Sequence, residues 1–280
     1  MRNILFLTDF SQTSDNAFVY ALNIAKNSDA ALSVMHVYNH SLDVKPVRLR
    51  QIINQKSNFE VFGEFQDQVK HLLKLASTSN CQDCKFTMQI KKGNLMRETC
   101  KIIATDNIDF VIIGTDTESD LFKKFSRASV FNIIKSIKVP VLAIPLAARF
   151  KQAENVGFTT IFRFTDFKVL KRVIRFSEYF DADTKCLHIT NKVNNPALAD
   201  TTQFWKKSLN SDRLEFIVKA KGDNSKECVV LDFVKEYKID YLCMLRQNFS
   251  FFRRLLNPSL SSKLMKNLDI PICIIKDDVT

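Results

Sequence analysis

Apolar residues in this chain come in short continuous runs, separated by longer stretches of helical periodicity, and the whole alternation happens twice. Residues 4–7 (ILFL) predict a strand. Ser11 supplies an N-cap for a helix reaching about residue 27, with Ala17, Tyr20, Ala21 and Ile24 at helical spacing. Further strands are predicted at 31–38, 85–90, 110–113 and 141–144, with helices near 59–76, 95–105 and 129–137 between them. The second series predicts strands at 159–164, 184–190, 214–219, 241–245 and 272–275, again with intervening helices. Strands that are apolar throughout, rather than on alternate residues, belong to a parallel sheet covered on both faces. The expected fold class is α/β, with two five-stranded parallel sheets, each carrying helices on both faces.

The two series are copies of each other. IDFVIIGTDTESDLFKKFSRASVFNIIKSIKVPVLAI, from Ile108, aligns without a gap with IDYLCMLRQNFSFFRRLLNPSLSSKLMKNLDIPICII, from Ile239 (239 minus 108 gives a separation of 131). Asp109 falls on Asp240 and Pro140 on Pro271. Each proline precedes a final strand, where its missing N–H costs no ladder bond. Upstream, MHV at 35–37 echoes LHI at 187–189, and TDF at 8–10 recurs at 165–167, which pairs Asp9 with Asp166. The larger separations there place insertions in the first half, with the polar stretch 39–56 as the expected one. The copies meet near residues 147–156, giving domains at 1–148 and 149–280, the second degenerate.

Composition narrows the function classes. The formal charge of +11 arises from basic residues scattered without a run of five or six, which describes a solvated basic surface. No basic motif interleaved with aromatics is present, so nucleic acid is not an expected partner. No signal peptide is read at the start, and no apolar run approaches the ~20 residues that span a bilayer. The expected location is the cytoplasm, without membrane association. The seven cysteines, an odd number, sit mostly in apolar stretches, as reduced thiols do. Cys81 and Cys84 form a C-x-x-C, but no second pair or nearby histidine completes a metal site.

NILFLTDFSQTSDNAFVYALNIAK, LSVMHVY, KKGNLMRETCKIIATDNIDFVIIGT and KVPVLAIP, in that order, resemble the universal stress protein (UspA) family. The resemblance covers nearly the whole chain twice, as in the tandem two-domain form. It implies Rossmann-like domains of the adenine nucleotide alpha hydrolase-like type. Nucleotide-binding members of that family carry G-x2-G-x9-G-[ST] after the fourth strand. Carried over by position, the first Gly is Gly114, the second falls on Thr117, the third on Arg127, and the Ser/Thr on Ala128, with Ser129 one place later. Thr8, Asp9, Val37 and Thr115 complete the implied nucleotide-binding set, Asp9 and Val37 matching residues that contact the nucleoside. In the second copy Leu245 replaces the first Gly, and Pro258 and Ser259 occupy the end of the motif.

Glycine permits positive φ and leaves room where a Cβ would block a pyrophosphate, so Thr117 and Arg127 restore bulk at both places. Lys123, Lys124 and Arg127 read either as cations that grip phosphate or as solvated loop charges. Asp9 and Asp166 read as turn or cap residues, or as ligand contacts. His36 and His188 read as core or cleft imidazoles, since no nucleophile or orienting carboxylate adjoins them in sequence. Trp205 reads as core or interface. Residues 249–259 (FSFFRRLLNPS) read either as a helical turn over the sheet's end or as an exposed patch.

The expected function is a non-enzymatic stress-response protein acting through protein contacts, with an eroded nucleotide site and no cofactor. The alternative is an adenine-nucleotide sensor holding ATP or AMP in domain 1. An enzyme is not expected, because no intact phosphate loop, metal carboxylate pair or base–nucleophile pair is present. Single-domain members of the resembled family pair through their last strands. The resemblance therefore implies an intramolecular pseudo-dimer through VLAI and ICII, with a homodimer as a further option.

Overall fold

The computed structural model describes residues 1–38, 50–53, 65–115, 127–245 and 268–276, with backbone only at 50–53 and 127–129. They form two compact units, Met1–Phe150 and Lys151–Thr280.

Unit 1 runs β1 (Asn3–Thr8), α1 (Gln12–Ser28), β2 (Ala31–Tyr38), β3 (Arg50–Ile53), α2 (Gln66–Thr78), β4 (Phe86–Lys92), α3 (Leu95–Thr105), β5 (Phe110–Thr115), α4 (Arg127–Ser136) and β6 (Val141–Pro145). Its sheet order is β3-β4-β2-β1-β5-β6. Five of these strands are parallel, and β3 adds an antiparallel edge beside β4. That edge strand falls within the stretch expected to be a polar insertion. Chain order reverses at β1, whose neighbours are β2 on one side and β5 on the other, so β1 and β5 flank a topological switch point.

Unit 2 runs β7 (Asn155–Thr160), α5 (Phe164–Glu178), β8 (Asp183–Thr190), α6 (Pro196–Leu209), β9 (Leu214–Ala220), α7 (Lys226–Glu236), β10 (Tyr241–Leu245) and β11 (Ile272–Ile275). The order β11-β10-β7-β8-β9, all parallel, repeats the parallel part of unit 1.

Burial follows from the sequence pattern. Ile4, Leu5, Phe6 and Leu7 are all fully buried, as consecutive residues must be when both faces of a strand are covered. Ser11 caps α1, its hydroxyl accepting from Ser14 N at 3.3 Å. Pro140 and Pro271 stand at strand entries, where their carbonyls accept from Val111 N and Leu242 N, each at 3.0 Å.

Two expectations shift. The strand placed at 159–164 is β7, Asn155–Thr160, and Phe164 instead opens α5. The displacement has a packing cause at Gly157. A Cβ there would come within 2.9 Å of Ile239 Cγ2 and 3.0 Å of Phe233 Cε1, so the glycine belongs inside the central strand. Helix α2 begins at Gln66; the earlier part of the helix expected over 59–76 and residues 249–259 lie outside the described residues.

A matched aspartate ties the entry of the first strand to that of the fourth parallel strand in each unit, β5 and β10. Arg2 N donates to Asp109 Oδ2 at 2.8 Å. Glu154 N and Asn155 N donate to Asp240 Oδ2 at 2.7 and 3.0 Å, and Lys151 pairs with its Oδ1. Asp240 is buried, so its removal strands two backbone donors. Asp240→Ala is expected to destabilise unit 2 by about 2–3 kcal/mol in urea unfolding, with Asp240→Asn intermediate.

Candidate functional site

The carboxyl ends of β1, β2 and β5 bring together most of the described residues that the sequence singles out. Thr8 ends β1 fully buried, and its hydroxyl accepts from Phe10 N at 3.0 Å. Asp9 Oδ1 accepts from Ser11 N at 3.1 Å and from the Ser11 and Ser14 hydroxyls at 2.6 Å each. One carboxylate oxygen is thus committed to holding the turn that starts α1, the turn-and-cap role open from the sequence.

Phe10 follows with φ 60°, a left-handed conformation that costs a residue with a Cβ roughly 1–2 kcal/mol. That backbone lays its ring on His36, 4.6 Å between centroids, with Phe65 5.2 Å from His36 on another side. His36 is fully buried in β2, and its Nδ1 donates to Thr8 O at 2.8 Å. The imidazole is therefore a strut between two strand ends. Val37 is buried beside it.

Gly114, next to last in β5, packs against α1. A Cβ at this position would lie 2.9 Å from Thr13 O and 3.0 Å from Thr13 Cγ2, so close helix–strand packing requires the glycine whatever else it does. Thr115 is buried, and its hydroxyl has no hydrogen-bond partner among the described residues. Arg127, Ala128 and Ser129 open α4. Thr117, Lys123 and Lys124 lie outside the described residues.

Unit 2 repeats the junction with its chemistry rearranged. Phe162 has φ 61° and sits 4.8 Å from His188, whose Nδ1 donates to Thr160 O at 3.1 Å. Phe162 N donates to the Thr160 hydroxyl at 2.8 Å. Thr8, Phe10 and His36 thus match Thr160, Phe162 and His188 at one constant separation (188 minus 36 gives 152). At that separation the counterpart of Asp9 is Ile161, and Asp166 matches Ser14, which corrects the pairing read from TDF. The tripeptide at 165–167 is a chance recurrence inside the first turn of α5.

Asp166 nevertheless does the work of both Asp9 and Ser14. Its Oδ2 accepts from Thr160 Oγ1 at 2.9 Å, Ile161 N at 2.8 Å and Arg163 N at 3.3 Å, while Arg163 Nε donates to Oδ1 at 3.2 Å. Fully buried, the carboxylate is compensated by an arginine and backbone donors, as burial of charge demands. Trp205 completes this end of the sheet, buried with its ring 5.0 Å from Phe162 and 5.1 Å from Phe167. The two aromatic covers, over His36 and over His188, went unread because nothing in a sequence marks a phenylalanine at positive φ.

Comparison with known proteins places this geometry. The universal stress protein family model matches residues 1–145, just over half of the chain. The chain belongs to the universal stress protein family. Its fold is that of a universal stress protein from Archaeoglobus fulgidus, with a TM-score of 0.67 and 13% identity over 98% of each chain. A functionally unknown protein from Pseudomonas aeruginosa is similar at a TM-score of 0.58 and 10% identity, over 99% of this chain and 93% of that one. Both likenesses span nearly the full length and so include the second unit. A comparison with curated proteins gives no match.

Among the described residues of this universal stress protein, no group of three or more His, Cys, Asp or Glu is placed to hold a metal ion. No described helix is long and apolar enough to cross a membrane. Cys81 is buried beside Cys84, and burial, followed by its neighbour's charge, pushes its pKa up to about 11. Burial likewise raises Cys186, while a hydrogen bond with Cys273 and burial raise Cys243.

Two outcomes follow. Gly114→Ala is expected to lower stability by about 1–3 kcal/mol in thermal or urea unfolding, because the Cβ meets backbone that cannot yield cheaply. In alkylation at pH 8 the exposed Cys100 is expected to label first, with Cys81 far behind it. The raised pKa keeps the Cys81 thiol mostly protonated at that pH; mass spectrometry of the labelled peptides gives the order.

Proposed function

We propose that the chain is a non-enzymatic stress-response protein of the cytoplasm that acts through protein contacts and holds no nucleotide. The observation that carries this reading is the filled junction after the first strand of both units. Asp9 and Asp166 accept from their own turns, and Phe10 and Phe162 cover the histidines of the second strand. One oxygen of Asp9, a group that the resemblance implies a nucleoside would meet, is already engaged by Ser11 and Ser14. Thr117 and Arg127, standing where the family pattern has glycine, support the same reading by restoring bulk next to the phosphates. Charge in that loop pulls the other way, but exposed cation–phosphate contacts are screened by salt and define no pose.

A second reading, adenine-nucleotide sensing by unit 1, has a specific basis. Asp9, Val37 and Gly114 are retained at the switch point, and the Thr115 hydroxyl is buried there without a partner among the described residues. Calorimetric titration with Mg-ATP and with AMP at physiological salt separates the two readings. Binding no tighter than about 100 μM is the expected result, and micromolar binding at one site establishes the sensor instead. A Thr117→Gly, Arg127→Gly double variant that gains affinity would locate the loss in the loop; one that gains nothing would locate it in the covered junction.

A further inference from the structure

The large apolar side chains left exposed among the described residues all fall in one stretch of unit 2: Ile161, Phe164, Val193 and Phe204. The repeat supplies an internal control. At the separation of 152, Ile161 and Phe164 stand where unit 1 has Asp9 and Gln12, so unit 2 has exchanged two polar positions for apolar ones. Ile161 is 56% exposed and Phe164 73% exposed, which no requirement of folding explains.

The surroundings of these side chains are shaped and charged. Helix α6 buries a single side chain, Trp205, and presents the adjacent Phe204 outward at 66% exposure. Between the start of α6 and β9 lies an open depression of about 400 Å³, lined by apolar Val193, Leu198 and Val218 and by polar Asn194, Asn195 and Thr202. Helix α5 carries Lys168, Lys171, Arg172 and Arg175 against one exposed acid, Glu178 at its last position. The Lys168 and Lys171 ammonium groups lie 5.0 and 5.1 Å from the ring centres of Phe164 and Phe167. Lys206 and Lys207 add charge to the last turn of α6, where Asp200 is the sole acid of the helix.

We propose that the α5–α6 face of unit 2 is a docking surface for an acidic, amphipathic protein segment. Apolar side chains of the partner enter the depression beside Val193 and cover Phe164 and Phe204, while its carboxylates meet the lysines of α5. An open depression with Val193 and Leu198 in its lining accepts the side chains that a docked helix or strand presents at regular spacing. Complementary charge sets orientation and encounter rate, and the apolar anchors supply the affinity. This surface rests on the reading of the chain as an interaction protein.

The test is selection of random peptides displayed on phage against the full chain, followed by fluorescence anisotropy of the recovered peptides. The expected peptides interleave Asp or Glu with apolar residues and weaken as salt rises. They should lose roughly tenfold or more in affinity to a Phe164→Ser, Phe204→Ser double variant. Both side chains are exposed, so that variant keeps the fold by circular dichroism; a Lys168→Glu, Lys171→Glu variant gives the same loss through charge alone. Peptides without acidic bias, or binding both variants as well as the parent, overturn the surface while leaving the interaction reading intact. Phe164-dependent binding of phosphatidylserine vesicles or of a DNA oligonucleotide, without peptide binding, overturns the protein partner. Recovery of no peptide together with micromolar Mg-ATP binding overturns the interaction reading itself.

Discussion

The first strand of each unit, β1 and β7, is buried between neighbours on both sides and helices on both faces. The neighbouring strands meet its backbone polar groups along its length, and at each end side chains of the protein take over that role. At the entry, Asp109 and Asp240 receive the backbone N–H groups of the incoming chain. At the exit, Thr8 and Thr160 give their carbonyls to a histidine and their hydroxyls to the next turn. The helix that follows starts only where a carboxylate gathers the turn's donors. The candidate site is built from these same groups, so its chemistry and the satisfaction of a buried strand are one problem.

Duplication lets one chain show two solutions. Unit 1 divides the task between Asp9 and Ser14, which keeps the carboxylate half-exposed. Unit 2 concentrates it in Asp166, fully buried and held by Arg163, and frees the position of Asp9 for Ile161. The second arrangement carries a larger desolvation cost, offset by an arginine and several donors to the same group. It also removes the polar side chain from the outer side of the junction, which is how an apolar surface comes to stand there.

Much of the fold was legible because parallel strands advertise themselves by unbroken apolar runs, and α3, β10 and β11 fall at the predicted residues. The gapless repeat likewise exposed Asp109 with Asp240 and Pro140 with Pro271, whose roles recur in the structure. Legibility failed where the signal was local and short. Three shared letters, TDF, misplaced Asp166 by five positions. The run FTTIF concealed the end of β7, because an exposed isoleucine looks like a buried one in sequence. The edge strand β3 sits in a stretch without apolar periodicity. The family resemblance grouped Thr8, Asp9, Val37, Gly114 and Thr115, which stand toward the ends of the adjacent strands β1, β2 and β5, whereas nothing in the sequence pointed to Phe10 and Phe65.

Phe10 and Phe162 also constrain how this protein can change over generations. A glycine in place of either would relieve about 1–2 kcal/mol of backbone strain. The same change would remove a ring packed on a histidine, and because neither ring is fully buried the loss stays below the roughly 3–5 kcal/mol of a core phenylalanine. The two effects oppose each other at similar size, so stability alone exerts only a weak pull on either position. Uncovering His36 would also need a change at Phe65, 5.2 Å from the same ring, so the cover in unit 1 is shared by two positions and goes only when both change.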